Sequence, residues 1–167
     1  MQRIHFDTEH RLFRESFRRF LQQEVVPHQQ RWEDAGIVDR GVWSKAGEMG
    51  FLLPWADEAY GGLGLKDFRY EQIMSEELGY INEPGFMLSL HSALCGPYIT
   101  EYGSEEQKQR FLPAIIRGEC ILAVAMTEPG AGSDLAGMRT SAVDKGDHYL
   151  LNGAKTYISN GLLSDLI

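Results

Sequence analysis

The chain has 167 residues, 43% of them hydrophobic, with 24 acidic and 16 basic residues and a formal net charge of −8. This length and apolar content predict a globular chain with one sizeable core or two small ones. The basic residues are scattered apart from four arginines near the start, which excludes nucleic acid as a partner because phosphate neutralisation requires a contiguous basic surface.

Cysteine usage and the N-terminus indicate the compartment. Cys95 and Cys120 lie far apart, without a CxxC pair or an HExxH motif, which predicts reduced buried thiols and neither a disulfide nor a metal site. Asp7, Glu9 and Glu15 argue against an organelle transit peptide, and no apolar run has membrane length. We expect a soluble protein without a membrane span, cytoplasmic or, if eukaryotic, in the mitochondrial matrix.

The first half of the chain predicts helices. Residues 8–26 carry apolar side chains at helical spacing, and Pro27 is expected to end that helix. A second, short helix is predicted over residues 42–49, with Gly50 as its stop. The following stretch, FLLPWADEAYGGLGL, is predicted to be a loop because proline and paired glycines break any periodic structure.

Three further helices are predicted up to residue 118. Asp67 is the expected N-cap of a helix that runs to Leu78, with Gly79 after it, and Pro84 is the expected first residue of a helix that runs to Tyr102 and ends at Gly103. The last of the three opens with a capping box, in which Ser104 is followed three residues later by Gln107, and it stops at Gly118.

The hydrophobic period then changes from 3.6 to 2. The run CILAVAM, residues 120–126, predicts a buried strand, and HYLL and AKTYIS predict a hairpin around Asn152-Gly153. Asn160-Gly161 predicts one more turn, with residues 162–167 beginning another strand. The sequence therefore predicts an α+β chain, with an all-α helical domain at residues 1–118 and the beginning of an antiparallel β domain at residues 119–167.

The loop TEPGAGSD, residues 127–134, interrupts this apolar pattern abruptly. It supplies hydroxyls at Thr127 and Ser133, and glycines at positions 130 and 132 whose bare backbone can cradle a pyrophosphate. The loop lacks the spacing of a dinucleotide fingerprint and of a P-loop. From the residues alone, an ordinary tight turn and a nucleotide-cofactor loop both stay open.

Several segments together resemble the acyl-CoA dehydrogenase family of flavoenzymes. They are TEPGAGSD, the downstream NGAKTYISNG, and the upstream EELGYINEPGFMLSLHSAL and YGSEEQKQRFLPAIIRGE, which occur in the family's order and cover essentially the whole chain. The resemblance implies the family's fold, a helical N-terminal domain followed by a central β domain, with the family's C-terminal helical bundle absent from this chain. It also implies FAD as the cofactor.

The resemblance assigns cofactor contacts residue by residue. Met126 and Thr127 match positions whose backbone and hydroxyl hydrogen-bond the flavin ring. Gly132 and Ser133 match positions that meet the pyrophosphate side of FAD and the bound acyl-CoA. Tyr157 matches an aromatic position packed on the isoalloxazine, where many family members carry Trp.

The remaining side chains divide into site and framework. Ser159 matches a hydroxyl position near flavin N5, where many members carry Thr. Leu90 and Leu94 lie on a helix that borders the acyl-chain cavity in the family, with core packing as the alternative role. We interpret His28 and His91 as satisfied core or surface groups, and Glu128 and Asp134 as partners of local turn amides.

The implied activity is α,β-dehydrogenation of an acyl-CoA thioester to the 2-enoyl-CoA, as in fatty-acid β-oxidation. An electron-transfer flavoprotein is the expected electron acceptor, and a homotetramer or dimer is the expected assembly. The family's catalytic Glu lies in its C-terminal domain, so the base is expected beyond Ile167. The alternative hypothesis is a noncatalytic short module that binds a partner subunit through the open edge of an incomplete sheet.

Overall fold

Helices occupy most of the first two-thirds of the chain in the structure, a computed structural model that describes residues 5–167. They are α1 Thr8–Phe20, α2 Gln29–Ala35, α3 Arg40–Glu48, α4 Phe68–Ile81, α5 Gly96–Tyr102 and α6 Glu105–Ile116. Strands β1 Ser141–Asp144 and β2 Tyr149–Asn152 pair antiparallel, with Ser141 opposite Asn152. This confirms the predicted α+β fold class. No helix within the described range is long and apolar enough to cross a bilayer.

Aromatic side chains from several helices form the centre of the core. Trp43 of α3 meets Phe86 edge to face with ring centroids 4.8 Å apart, and Phe17 of α1 meets Phe51 at the same distance. All four side chains are buried. Edge-to-face pairs of this kind stabilise by about 0.5–1.5 kcal/mol beyond the area they bury.

Charged residues fix how α1 lies against α4. Arg14 and Arg18 of α1 each donate to the buried carboxylate of Glu77 in α4, both at 2.7 Å. Because removing one partner of such a pair leaves an uncompensated buried charge, the arrangement holds the register between the two helices.

The prediction that Pro27 ends the first helix is wrong. The chain continues from α1 through a π turn, Leu21–Val25, and a 3₁₀ turn, Val26–His28, directly into α2. Proline is tolerated within the first turn of a helical segment, where its missing N–H has no partner to lose. The helical run ends instead at Gly36, whose φ of +66° is the left-handed conformation that glycine adopts without strain.

Local capping signals correctly predict the N-termini of α4 and α6. Asp67 caps α4 by accepting from the Arg69 amide at 2.9 Å, and the predicted capping box at Ser104 and Gln107 is present in both directions. The predicted short helix is confirmed as α3, with Gly50 just beyond it at a φ of +74°.

Two predicted helix ends around α4 are wrong. The helix continues past Gly79 to Ile81, and Asn82, with a φ of +52°, provides the left-handed cap. Pro84 lies in the following loop, and the next helical segment begins at residue 88 and passes through a π turn, Leu90–Cys95, into α5. Phe86 between them is buried in the core, which requires the chain to turn inward before the helix can start.

The predicted strand over residues 120–126 does not form a regular ladder. Its only backbone bridge is Leu122 with Leu166, in a parallel sense, and Leu122 also bonds to two side chains, His91 and Asn160. A strand needs a neighbouring backbone over several residues, and the described residues offer this segment only a single bridge. The strand predicted over residues 162–167 is likewise reduced to that bridge, after a turn at Asn160-Gly161 that is confirmed.

The hairpin exists, but its predicted turn is wrong. HYLL contributes β2, which pairs with the preceding strand β1 rather than with AKTYIS. The turn lies at residues 145–148, where Gly146 has a φ of +95° and its amide donates to the Asp144 carboxylate at 2.7 Å. Asn152 is the last residue of β2, and the chain beyond Gly153 returns to the TEPGAGSD loop, where the Thr156 amide donates to the Thr127 carbonyl.

Candidate cofactor site

The segment that leads into the TEPGAGSD loop is fixed to the helical layer by a buried histidine. His91, fully buried on the π turn before α5, accepts from the Leu122 amide through Nδ1 at 3.1 Å. Its Nε2 then carries the proton and donates to the Ile115 carbonyl of α6 at 3.3 Å. Burial lowers the pKa of His91 to about 4, partly opposed by that carbonyl, so the ring is neutral. His91 is therefore a satisfied core group, in line with its interpretation from sequence.

The loop itself is closed by backbone bonds and anchored by Glu128. The amides of Glu128 and Ala131 donate to each other's carbonyls at 2.9 and 3.1 Å. The buried Glu128 carboxylate accepts from the amides of Arg139 at 2.7 Å and Thr140 at 2.9 Å, and these bonds lower its pKa to about 2. Glu128 thus connects two segments rather than capping its own turn, and Asp134 makes no capping bond to the 3₁₀ turn that follows it.

Lys155 completes this anchor, and sequence reasoning missed it. Its ammonium donates to the Met126 carbonyl at 2.9 Å and to the Met138 sulfur at 3.4 Å, and it lies 3.0 Å from the Glu128 carboxylate. GAKT does not have the spacing of a phosphate-binding loop, and no short-range pattern links position 155 to position 126. The contact is visible only once the two segments lie side by side.

Several hydrogen-bond donors at the start of the loop have no partner within residues 5–167. The carbonyl of Met126 is taken by Lys155, and that of Thr127 accepts from the Thr156 amide at 3.0 Å. Within residues 5–167 the amides of Met126 and Thr127, and the Thr127 hydroxyl, make no hydrogen bond. The exposed amides of Gly132 and Ser133 are likewise unpaired there.

These donors fit the chemistry of FAD, whose ring edge offers acceptors and whose pyrophosphate is anionic. A Cβ added at Gly130 or Gly132 would meet no atom within 4 Å, and neither glycine has a positive φ. Contacts within the described chain therefore do not require glycine at these positions. A ligand that lies directly against the backbone would require it, because a Cβ would keep the ligand away.

Tyr157 and Ser159 follow Thr156, whose amide donates to the Thr127 carbonyl. The Tyr157 ring is 90% exposed, and its residue has a φ of +56°, which is uncommon for a bulky side chain. Ser159 is half-buried on the wall of a cavity of about 890 Å³ between α2, the loop 81–87 and the turn 158–163.

The structure brings only some of the predicted residues together. Met126 and Thr127 lie beside residues 155–156. The cavity that contains Ser159 is not lined by the other predicted cofactor residues, which are Met126, Thr127, Gly132, Ser133 and Tyr157. Leu90 is half-buried against the core and Leu94 is exposed, and neither lines that cavity. Met87, three residues before Leu90, lines the cavity instead.

The described part of the chain offers neither a metal site nor a disulfide. No group of three His, Cys, Asp or Glu residues is arranged there to hold a metal ion. Cys95 and Cys120 are free, and burial raises the pKa of both thiols.

Comparison with family models matches the chain in two parts. Residues 7–119 match the model described as acyl-CoA dehydrogenase, N-terminal domain, and residues 123–167 match acyl-CoA dehydrogenase, middle domain. A long-chain specific acyl-CoA dehydrogenase, mitochondrial, from Sus scrofa is 51% identical over 162 residues, which are 97% of this chain and 37% of that protein. An isovaleryl-CoA dehydrogenase, mitochondrial, from Bos taurus is 37% identical over 96% of this chain and 38% of its own length.

Solved structures agree. An acyl-CoA dehydrogenase from Geobacillus kaustophilus superposes with a TM-score of 0.94 at 48% identity, covering 99% of this chain and 44% of that one. An acyl-CoA dehydrogenase complexed with FAD from Bacillus anthracis gives a TM-score of 0.89 at 31% identity, over all of this chain and 29% of the other. The chain therefore spans less than half the length of these relatives.

Proposed function

Because the chain belongs to the acyl-CoA dehydrogenase family, we propose that it supplies the flavin-binding edge of an enzyme that oxidises an acyl-CoA thioester to the 2-enoyl-CoA. The observation that carries the proposal is the set of free donors at Met126 and Thr127, whose carbonyls are both occupied while their amides and one hydroxyl are not. FAD, when bound, supplies the acceptor for the electron pair released in the oxidation.

The residues of this chain bind and orient. Met126 and Thr127 donate to the flavin ring, the amides of Gly132 and Ser133 face its pyrophosphate and the acyl-CoA, and Tyr157 offers an exposed ring for stacking. The unusual φ of Tyr157 supports that role, because strained residues cluster at ligand sites.

Ser159 supplies a hydroxyl beside the reacting edge of the flavin. Leu90 and Leu94 are proposed to border the acyl chain. None of these side chains can remove a proton from the substrate, and we expect the catalytic carboxylate outside this chain. Residues 1–118 and 119–167 are proposed as the helical domain and the first part of the β domain.

The substrate proposed is a fatty acyl-CoA of β-oxidation, since long-chain specific relatives are 49–51% identical and the isovaleryl relatives 37%. An electron-transferring flavoprotein is the proposed electron acceptor. A homotetramer or dimer is proposed, in the cytoplasm or, in a eukaryote, the mitochondrial matrix.

The test is anaerobic reduction of the flavin in the complete protein by acyl-CoAs from short to long. Thr127→Val and Ser159→Ala are expected to slow reduction, by up to about 10²-fold if the donor faces developing charge. Thr100→Val, which removes a hydroxyl from α5, is the matched control. Reduction at the parental rate in both site variants would remove the hydroxyls from the reaction.

Binding of FAD also separates this proposal from the alternative, a noncatalytic module that uses the open edges of the β1–β2 sheet. That module would bind its partner without flavin. A purified protein that neither retains nor rebinds FAD would rule out the enzymatic proposal.

A further inference from the structure

We propose that Lys155 and Glu128 are positioning residues that aim the Thr127 amide at the flavin. The inference rests on the proposed function, because it concerns how this chain presents its donors to that cofactor. Neither side chain is assigned a contact with FAD. Both act through the backbone of residues 126–131.

The geometry around the Lys155 ammonium accounts for all of its hydrogens. A lysine has three N–H donors, and Lys155 has three acceptors in reach, the Met126 carbonyl, the Glu128 carboxylate and the Met138 sulfur. The side chain of Lys155 is 22% exposed and that of Glu128 7%, so water competes little for these bonds. The ammonium is therefore held at one place.

The Glu128 carboxylate fixes that place relative to the rest of the site. It accepts from the amides of Arg139 and Thr140, and a carboxylate with two such bonds retains acceptor capacity for Lys155. Three segments of the chain, 126–131, 138–140 and 155–156, consequently meet at this one ion pair.

The effect on the cofactor edge follows from the planarity of the peptide bond. The Met126 carbonyl and the Thr127 amide belong to one peptide plane and point in opposite directions. When Lys155 holds the carbonyl on one side, the amide is directed to the other side, where it has no partner within the described residues. Without Lys155, that plane can rotate and turn a carbonyl towards a ligand edge that offers acceptors.

The experiment compares Lys155→Met with Lys45→Met in the complete protein. Methionine keeps most of the volume of lysine and loses the charge. Lys45, on α3 and far along the chain from the loop, forms an exposed ion pair with Glu24. We expect Lys155→Met to weaken FAD binding about tenfold, as for a lost charged hydrogen bond. Lys155→Arg should restore part of the affinity, and Lys45→Met should bind like the parent.

A second readout needs no cofactor. Hydrogen exchange of the apoprotein should accelerate in Lys155→Met at the amides of residues 128, 131, 139 and 140, whose acceptors belong to the anchored segments. It should stay unchanged in Lys45→Met. If Lys155→Met does not fold, Lys155→Gln, which is neutral and retains two N–H donors, replaces it in both measurements.

Parental FAD affinity in a folded Lys155→Met protein would overturn the inference while leaving the proposed function intact. Uniformly faster exchange across the chain, with unchanged affinity after correction for the unfolded fraction, would also overturn it, since the pair would then stabilise the fold alone. A parent protein that binds no FAD would refute the proposed function, and the positioning role with it.

Discussion

Acidification should destabilise the chain through His91, and the size of the effect can be worked out. The pKa of His91 is about 4 in the folded chain, against 6.5 for the free side chain. The folded value is the lower one, so the unfolded chain binds the proton more tightly and the stabilising contribution is complete above about pH 6.5. It is lost as the pH falls, at about 1.4 kcal/mol per pKa unit, which gives about 3 kcal/mol once the pH is below 4.

The comparison is best made between pH 7 and about pH 5, where roughly 2 kcal/mol should disappear. Most carboxylates of an unfolded chain are still ionised there, so they contribute little to the difference between the two pH values. Urea unfolding followed by tryptophan fluorescence measures the free energy in the parent and in His91→Gln, which has no titrating ring. The parent should lose the expected stability, and the difference between the two pH values should shrink in the variant.

A third variant separates charge from hydrogen bonding. His91→Phe leaves the buried Leu122 amide without an acceptor, which costs about 1–3 kcal/mol at every pH. The Ile115 carbonyl still accepts from the Gly118 amide, so it adds little. An equal pH-dependent loss in the parent and in both variants would show that His91 does not titrate as its buried position requires.

Three other changes test the packing and the site. Glu71→Gln should raise the melting temperature at pH 7 and not at pH 4, because burial raises the pKa of this carboxyl, an effect that the Ser89 hydroxyl only partly opposes. A folded pKa above the unfolded one contributes stability at low pH that is lost as the pH rises through it. Equal shifts at both pH values would contradict this. Gly47→Ala should destabilise by about 1–3 kcal/mol in denaturant unfolding, since a Cβ there would lie 2.4 Å from the Arg117 backbone, whereas an unobstructed helix position would gain stability. Tyr157→Ala should weaken FAD retention by about 0.5–1.5 kcal/mol with little change in apoprotein stability. Tyr149 is an exposed tyrosine of β2, and Tyr149→Ala should leave FAD retention unchanged. Equal FAD titrations for both tyrosine variants would remove Tyr157 from the site.

Features whose physics is complete within a few residues could be predicted from the amino-acid sequence. The caps at Asp67 and at Ser104 with Gln107 were predictable because each side chain bonds to an amide two or three positions away. The TEPGAGSD and NGAKTYISNG segments identified the family for a related reason, since their residues and order stand in the chain itself. The matches to the two family models, over residues 7–119 and 123–167, confirm that identification.

Features that depend on partners far along the chain became visible only in the folded structure. His91 meets the Leu122 amide 31 residues away, and Lys155 meets the Met126 carbonyl 29 residues away. The apolar run at 120–126 reads as a strand, but whether it joins a ladder depends on neighbours that its own residues do not specify. The spacing of hydrophobic residues indicates which face of an element is buried, but it does not indicate which element covers that face, because the hydrophobic effect is not directional. A hydrogen bond, in contrast, requires one particular partner at a defined distance, and that partner is set by the fold.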